Sequence, residues 1–282
     1  MKKSKTAMVT GASSGFGLLT SLELAKKGFD VIAAMRNLDK KTALMDAATA
    51  IQLEKQITVI RLDVTDPEQI DSMKKELSTW PSIDILINNA GFAMGGFCEE
   101  TTVEEYREQF ETNFFGVIAI TQAVLPFMRA QGDGKIINVS SVSGQVAFPG
   151  LSPYVSSKHA LEGYTECLRL EVKPFGIDVA LIEPGSYQTN IWSSGKRIAK
   201  KSLEKSSPYS NYMQAIEREM EKGASNYGNP QEVADLIVSL CEKEKIERLR
   251  YPVGRGSRRI LFLKKWVSWA KWEQVFFKRL SK

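Results

Sequence analysis

Short apolar runs recur along this chain roughly 25–45 residues apart, each leading into a helix-like segment. The runs at 6–10, 31–35, 57–62, 83–87, 135–139, 177–183 and 250–254 are the candidate strands. Between them, residues 18–27, 39–54, 68–78, 102–128 and 154–172 read as helices. Strands that alternate with helices pair in parallel, because the helix supplies the crossover. The expectation is an α/β fold, a parallel sheet with helices on both faces. No internal repeat or low-complexity tract interrupts the pattern, and 282 residues suffice for one sizeable core. Residues 1–257 are therefore read as one domain, with 186–226 as a long irregular segment and 258–282 as an extension.

Composition narrows the function classes. The net charge of +5 is uneven: 258–282 holds eight Lys/Arg and one acid, Glu273, while the rest holds 30 basic and 32 acidic residues. The body carries no basic excess, so nucleic acid is not an expected partner. Cys98, Cys167 and Cys241 are scattered, which suits a reducing compartment, and the single His159 rules out a multi-histidine metal site. No metal is expected. Residues 1–5 lead straight into the first strand without a signal core, and no window offers some 18 uncharged apolar residues. A cytoplasmic protein without a membrane span is the expectation.

Four local patterns carry chemistry. The first strand runs into Thr10-Gly11-Ala12-Ser13-Ser14-Gly15-Phe16-Gly17 and then a helix. Glycines there let backbone approach a pyrophosphate, and the helix N-terminus offers unpaired N–H groups to it. Arg36 closes the second strand with no acid before Asp39, which favours a 2′-phosphate and hence NADP over NAD. Asp63 ends the third strand as a candidate adenine contact or an ordinary turn residue. Tyr154 and Lys158 are four apart, so a helix places them on one face, where an ammonium can lower a phenol's pKa toward working range.

Other features stay open on residues alone. Asn88-Asn89-Ala90-Gly91 follows a strand with small residues that admit a ligand. Thr102 and Glu105 form a capping box. Asn113 sits inside the helix they begin, where Asn is a poor helix former; a kink with a bound water and a tolerated polar residue are both open.

Taken in order, Thr10-Gly11-x-x-x-Gly15-x-Gly17, Asn88–Gly91, Asn113, Ser141, Tyr154-x-x-x-Lys158 and Pro184-Gly185 resemble the short-chain dehydrogenase/reductase family over residues 6 to 253. The resemblance implies a single Rossmann-type, doubly wound sheet of about seven strands. It implies that Tyr154 is the general acid or base, that Lys158 lowers its pKa, that Ser141 bonds the substrate oxygen and that Asn113 holds a relay water. Gly11, Ser13, Ser14, Gly15 and Gly17 would form the pyrophosphate turn. Asp63 and Val64 would meet adenine, Asn89, Ala90 and Gly91 would line the nucleotide, and Pro184, Gly185 and Thr189 would bracket the nicotinamide. Ser140 and Ser141 face opposite ways on a strand, and spacing to Tyr154 selects Ser141, with Ser143 as a further substrate neighbour.

The resemblance makes 186–226 a lid. Its Tyr187, Trp192, Tyr209, Tyr212 and Met213, with Phe92, Met94, Phe97, Val146 and Phe148, suggest an apolar carbonyl or alcohol of steroid, retinoid or lipid type; ordinary packing is the competing reading. His159 is read as structural. The tail, placed on one helix, gathers Phe262, Trp266, Trp269, Phe276 and Leu280 against Lys264, Lys271 and Lys278. Packing on its own domain or a second subunit, an interfacial membrane helix, and docking to a partner are all open. A homodimer or homotetramer is implied by the family. A non-catalytic redox-sensing module on the same fold is the rival to an enzyme.

Overall fold

The structure is a computed structural model that describes residues 4–189, 191 and 195–280, apart from the side chains of residues 224, 279 and 280. Trp192 and the Leu280 side chain, both named above, lie outside that description.

Among the described residues, nine strands and ten α-helices follow one another, two strands more than expected. The strands are β1 Thr6–Thr10, β2 Asp30–Met35, β3 Ile57–Arg61, β4 Ile85–Asn88, β5 Ala93–Gly95, β6 Gly134–Val139, β7 Ile177–Pro184, β8 Lys196–Ile198 and β9 Arg250–Val253. The helices are α1 Gly15–Lys26, α2 Thr42–Ala50, α3 Pro67–Leu77, α4 Val103–Phe110, α5 Gly116–Gln131, α6 Ser152–Val172, α7 Ser210–Ala224, α8 Gln231–Glu242, α9 Ser257–Trp266 and α10 Trp269–Leu280. Seven strands form one parallel sheet in the order β3-β2-β1-β4-β6-β7-β9. The order reverses between β1 and β4, which opens a crevice at the carboxyl ends of those strands. Two apolar layers cover the sheet, one against α1 and α8 and one against α3, α5 and α6. Central strands read as continuous apolar runs because both faces are buried.

The capping box is present: Thr102 Oγ1 accepts from Glu105 N, and Glu105 accepts from Thr102 N at 2.8 Å. The helix it begins is not uniform. Glu111–Phe115 form a π-helical turn between α4 and α5, centred on Asn113. Val103–Gln131 is long and apolar enough, by length and composition, to cross a membrane. Its Ile120, Val124 and Met128 are instead fully buried against the sheet, so it is a core helix, and the expectation that no stretch has such character is corrected.

Two further features depart from the sequence reading. β5 pairs with β8 in a small separate sheet that ties the 186–226 segment to the chain after β4. The tail breaks after Trp266 into two helices rather than one. Its inward residues Ile260, Leu261 and Trp272 pack on Val142 and Val146, and Phe276 meets Phe148 at 6.5 Å between ring centroids. Phe262, Trp266 and Trp269 face outward, so Phe276 does not share their side.

Candidate active site

The crevice at the β1/β4 switch encloses about 410 Å³. Gly11, Ser13, Ser14 and Gly15 form one wall, ahead of α1, whose N-terminus opens on the cleft. Gly11 has φ +68°, and a Cβ on it would stand 2.8 Å from Ala90 Cα. Only glycine allows both the turn and that approach. Gly17 does not reach the cleft. It is buried, and a Cβ there would lie 2.4 Å from Gly11 O and 2.5 Å from Asn89 Nδ2, so its role is to let the turn close.

The stretch after β4 stitches this wall to its neighbours. Asn89 Nδ2 donates to Thr10 O at 2.9 Å and to Gly11 O at 3.2 Å, and Thr10 Oγ1 accepts from Asn89 N and Ala90 N. Asn88 Nδ2 donates to Asn138 Oδ1 across to β6 at 2.9 Å. Asn89, Ala90 and Gly91 line the cleft, as do Arg36, Asp63 and Val64 at its outer end. Arg36 Nη1 lies 3.9 Å from Asp63 Oδ2, both partly in water. Asp63 Oδ1 is held by Thr65 N and Oγ1, as the turn reading of Asp63 expects.

At the inner end, Tyr154 and Lys158 on α6 are 3 % and 6 % exposed. The Ser141 hydroxyl is hydrogen-bonded to that of Tyr154, and Ser140, which also lines the cleft, has its hydroxyl toward Glu162. Lys158 Nζ donates to Val139 O at 2.7 Å. Burial pushes the Tyr154 phenol up to about 12, with the Ser141 hydrogen bond acting the other way. Burial brings Lys158 down to about 8, opposed by the Glu162 charge. Burial outweighs any lowering of Tyr154 by Lys158 in this arrangement. The ammonium points at Val139 and lies 5.9 Å from the ring centroid.

Asn113 completes the group. Its Oδ1 accepts from Phe92 N at 3.1 Å, and its Nδ2 donates to Phe92 O at 3.0 Å and to Ser157 Oγ at 3.4 Å. The π-helical turn places the carboxamide there, and irregular turns of this kind gather at functional sites. Pro184, Gly185 and Thr189 line the wall opposite β4.

The substrate set fares less evenly. Phe92 and Ser141 line the cleft. Ser143 and Val146 are buried behind it, and Phe148 packs beneath α10. Tyr187 touches the cleft, yet it is 1 % exposed, hydrogen-bonded to Glu232 and wedged against Gly228 and Gly254, so it supports the wall. Met94 is buried outside the cleft. Phe97 stacks on Tyr209 at 4.3 Å and meets Tyr212 at 5.4 Å. These aromatics hold the 186–226 segment in place rather than line the cleft; Met213 is also outside the lining. His159 Nδ1 bonds its own helix at Val155 O, as a structural residue would.

Sequence reading missed Asn37, Lys40, Ile191 and Arg197, all of which line the cleft. Asn37 and Lys40 follow Arg36 in the same turn, so their nearness was a usable signal. Arg197 gave no local signal. The β5–β8 pairing brings it over the Phe92 ring at 4.4 Å, where it also pairs with Glu108.

Comparison with known proteins agrees with this geometry. A sequence profile described as short chain dehydrogenase matches residues 5–198. The uncharacterized oxidoreductase YusZ of Bacillus subtilis is 49% identical over 276 residues, 98% of each chain. A 3-ketodihydrosphingosine reductase of Bacteroides thetaiotaomicron is 33% identical over 238 residues, 84% of this chain and 83% of that protein. A short-chain dehydrogenase structure from Streptomyces avermitilis superposes with a TM-score of 0.82 at 33% identity, covering 100% of this chain and 98% of that one.

Proposed function

The chain belongs to the short-chain dehydrogenase/reductase family and is an NAD(P)-dependent oxidoreductase acting on a small molecule; from that premise we propose that it prefers NADP and interconverts an apolar ketone or aldehyde with its alcohol. The observation that carries the reading is the pair of hydroxyls, Ser141 and Tyr154, joined at the inner end of a cleft whose outer end is cationic.

The residues present fit a dinucleotide. Gly11 and Gly15 take positive φ, and a Cβ on Gly11 would press into Ala90, so the turn leaves space for a pyrophosphate beside the start of α1. Ser13, Ser14, Asn89, Ala90, Gly91 and Val64 would hold the nucleotide, and Pro184, Gly185 and Thr189 the nicotinamide end. Arg36, joined by Lys40, would bind a 2′-phosphate. When bound, the cofactor supplies or accepts the hydride.

The chain's own residues do the rest. The Ser141 and Tyr154 hydroxyls donate to the carbonyl oxygen as negative charge gathers on it, and Tyr154 O–H gives it the proton. Lys158, buried and charged, stabilises the phenolate left behind. Asn113 holds the Phe92 backbone at the cleft edge and would hold the water of a proton path to Lys158. In the oxidative direction Tyr154 takes the proton back.

An apolar, lipid-like substrate is supported by Phe92 and Ile191 along the cleft and by the name of the Bacteroides relative. Arg197 adds one polar contact at the mouth that the sequence reading lacked. Tyr154→Phe should abolish turnover of NADPH with ketones while retaining NADPH binding. Full turnover in that variant would instead favour the rival, a module that binds NADP without using this site.

A cytoplasmic homo-oligomer completes the reading, with a membrane surface and a second copy as the two candidates for the tail's outward face. Phe262, Trp266, Trp269 and Val275 are all more than half exposed, on helices rich in Lys and Arg. Retention on anionic vesicles should be lost on truncation after Ser257. Loss of oligomer without any vesicle binding would assign that face to a second copy.

A further inference from the structure

Behind the site lies a second buried layer of polar groups that the proposed chemistry does not use, built in register with the first. Ser140 precedes Ser141, and Glu183 precedes Pro184, so strand alternation turns each to the opposite side. Glu162 follows Lys158 by one turn of α6. Glu162 and Glu183 are 5 % and 0 % exposed, and both meet one guanidinium nitrogen. Arg250 Nε lies 2.9 Å from Glu162 Oε2 and 3.7 Å from Glu183 Oε1. Gln145 Nε2 also donates to Glu183 Oε1.

Glu183 Oε2 completes no hydrogen bond among the described residues, and Ser140 Oγ and Glu162 Oε1 have only each other to turn to. Gly144 lies against two of them. A Cβ there would stand 2.7 Å from Ser140 Oγ and 2.9 Å from Glu162 Oε1. Two carboxylates this close and this dry are strongly disfavoured when both are ionised. Their shared cation is also claimed by the exposed Glu166, 2.6 Å from Arg250 Nη2. Lys158, itself buried, stands one helical turn before Glu162.

We propose that Glu162 is the counter-charge for Lys158 and that Glu183, joined to it through Arg250, sets its charge state, the two carboxyls holding a single exchangeable proton. They are positioning residues: Glu162 acts through the field it sets at Lys158 Nζ and Glu183 acts through Glu162, and no proton need pass directly between them. With one proton bound, the pair presents one negative charge to one buried ammonium. The charged groups facing it are Lys158 and Glu166 from α6, Arg250 from β9 and Lys265 from α9. In support, burial raises both carboxyls, Glu183 to about 7 with the Glu162 charge as the next cause, and Glu162 holds Lys158 up against its own burial.

The inference rests on the role given to Lys158 above, and the test separates the two. E183Q leaves Glu162 in place, so it should move the alkaline limb of the kcat–pH profile by less than about half a unit. E162Q removes the counter-charge. It should move the limb down by roughly one unit or more, with KM for NADPH within about twofold, and E162Q/E183Q should move it no further, because Glu183 acts through Glu162. A limb that E162Q leaves in place, a double variant that moves it further, or a loss uniform across pH, overturns the proposal. Infrared spectra of the unaltered protein at pH 6 should show a protonated-carboxyl band that E183Q removes. Its absence overturns the shared proton whether or not the variants fold. Full activity in Tyr154→Phe would sink the catalytic reading while leaving that band to report on the pair.

Discussion

Lys158 Nζ donates to the Val139 carbonyl at 2.7 Å, which fixes a buried ammonium at the end of β6, directly below the Ser141 turn. The contact explains how a lysine 6 % exposed keeps a defined place, since a carbonyl dipole partly replaces lost water. Its pKa, about 8, sets a testable limb. The ammonium is present below that value and lost above it. Carbonyl reduction should be level below about pH 8 and fall as pH rises through it. Lys158→Met should lose the limb together with roughly 10²–10⁴ of the rate. A pH profile of kcat/KM checks both.

The grip of Asn113 on both backbone groups of Phe92 makes a second prediction. Asn113→Ala leaves the Phe92 N–H at the cleft edge without its partner, while Phe92 O keeps the Gln109 Nε2 donor. Unfolding by urea should show a loss of roughly 1–3 kcal/mol. An unchanged midpoint would mean that water replaces the carboxamide fully.

Gly17 tests the turn. Ala there would place a methyl 2.4 Å from Gly11 O, with backbone rather than a flexible side chain in the way. Overpacking of that kind costs about 1–3 kcal/mol. The same substitution should weaken NADPH binding, measured by fluorescence titration, because the displaced atoms belong to the pyrophosphate turn.

Arg36 and Lys40 address cofactor choice. Each replaced by Ala should weaken NADPH by roughly 10–100-fold, the range of a hydrogen bond to a charged group, and leave NADH nearly unchanged. Equal losses for both nucleotides would count against NADP preference. Added salt should shrink the NADPH effect, since both cations are exposed.

Glu183 links the buried layer to stability. Its folded pKa, about 7, lies above the ordinary 4.5, so the native state holds the proton more tightly than the unfolded chain. Below about 4.5 the carboxyl is neutral in both states and costs nothing. Between 4.5 and 7 the cost of ionising it grows with pH, and above 7 it is present in full. Glu183→Gln should therefore raise Tm relative to the unaltered protein more at pH 8 than at pH 5. Equal shifts at both values would show that Glu183 ionises without penalty.

Strand and helix order was legible in the sequence because apolar periodicity and glycine turns are local. β1 and β4 fall almost where the runs predict, and the Thr102–Glu105 box opens its helix. Tyr154, Lys158, Ser141 and Asn113 could be singled out because their spacing matches a known order. The 186–226 segment could not be read this way. An aromatic that packs on another aromatic and one that faces a ligand look alike in sequence, and Phe97, Tyr209 and Tyr212 proved to be the former.

Local sequence determined that this chain alternates strand and helix, turns on glycine after β1 and carries a phenol one turn from an amine. Only tertiary structure decided what surrounds them. Lys158 points at Val139, Arg197 arrives through β8, and Glu162 and Glu183 meet on Arg250, 88 residues beyond Glu162. Periodicity reports which face of an element is buried. It cannot report which distant groups share that burial, and their shared desolvation is what shifts protons here.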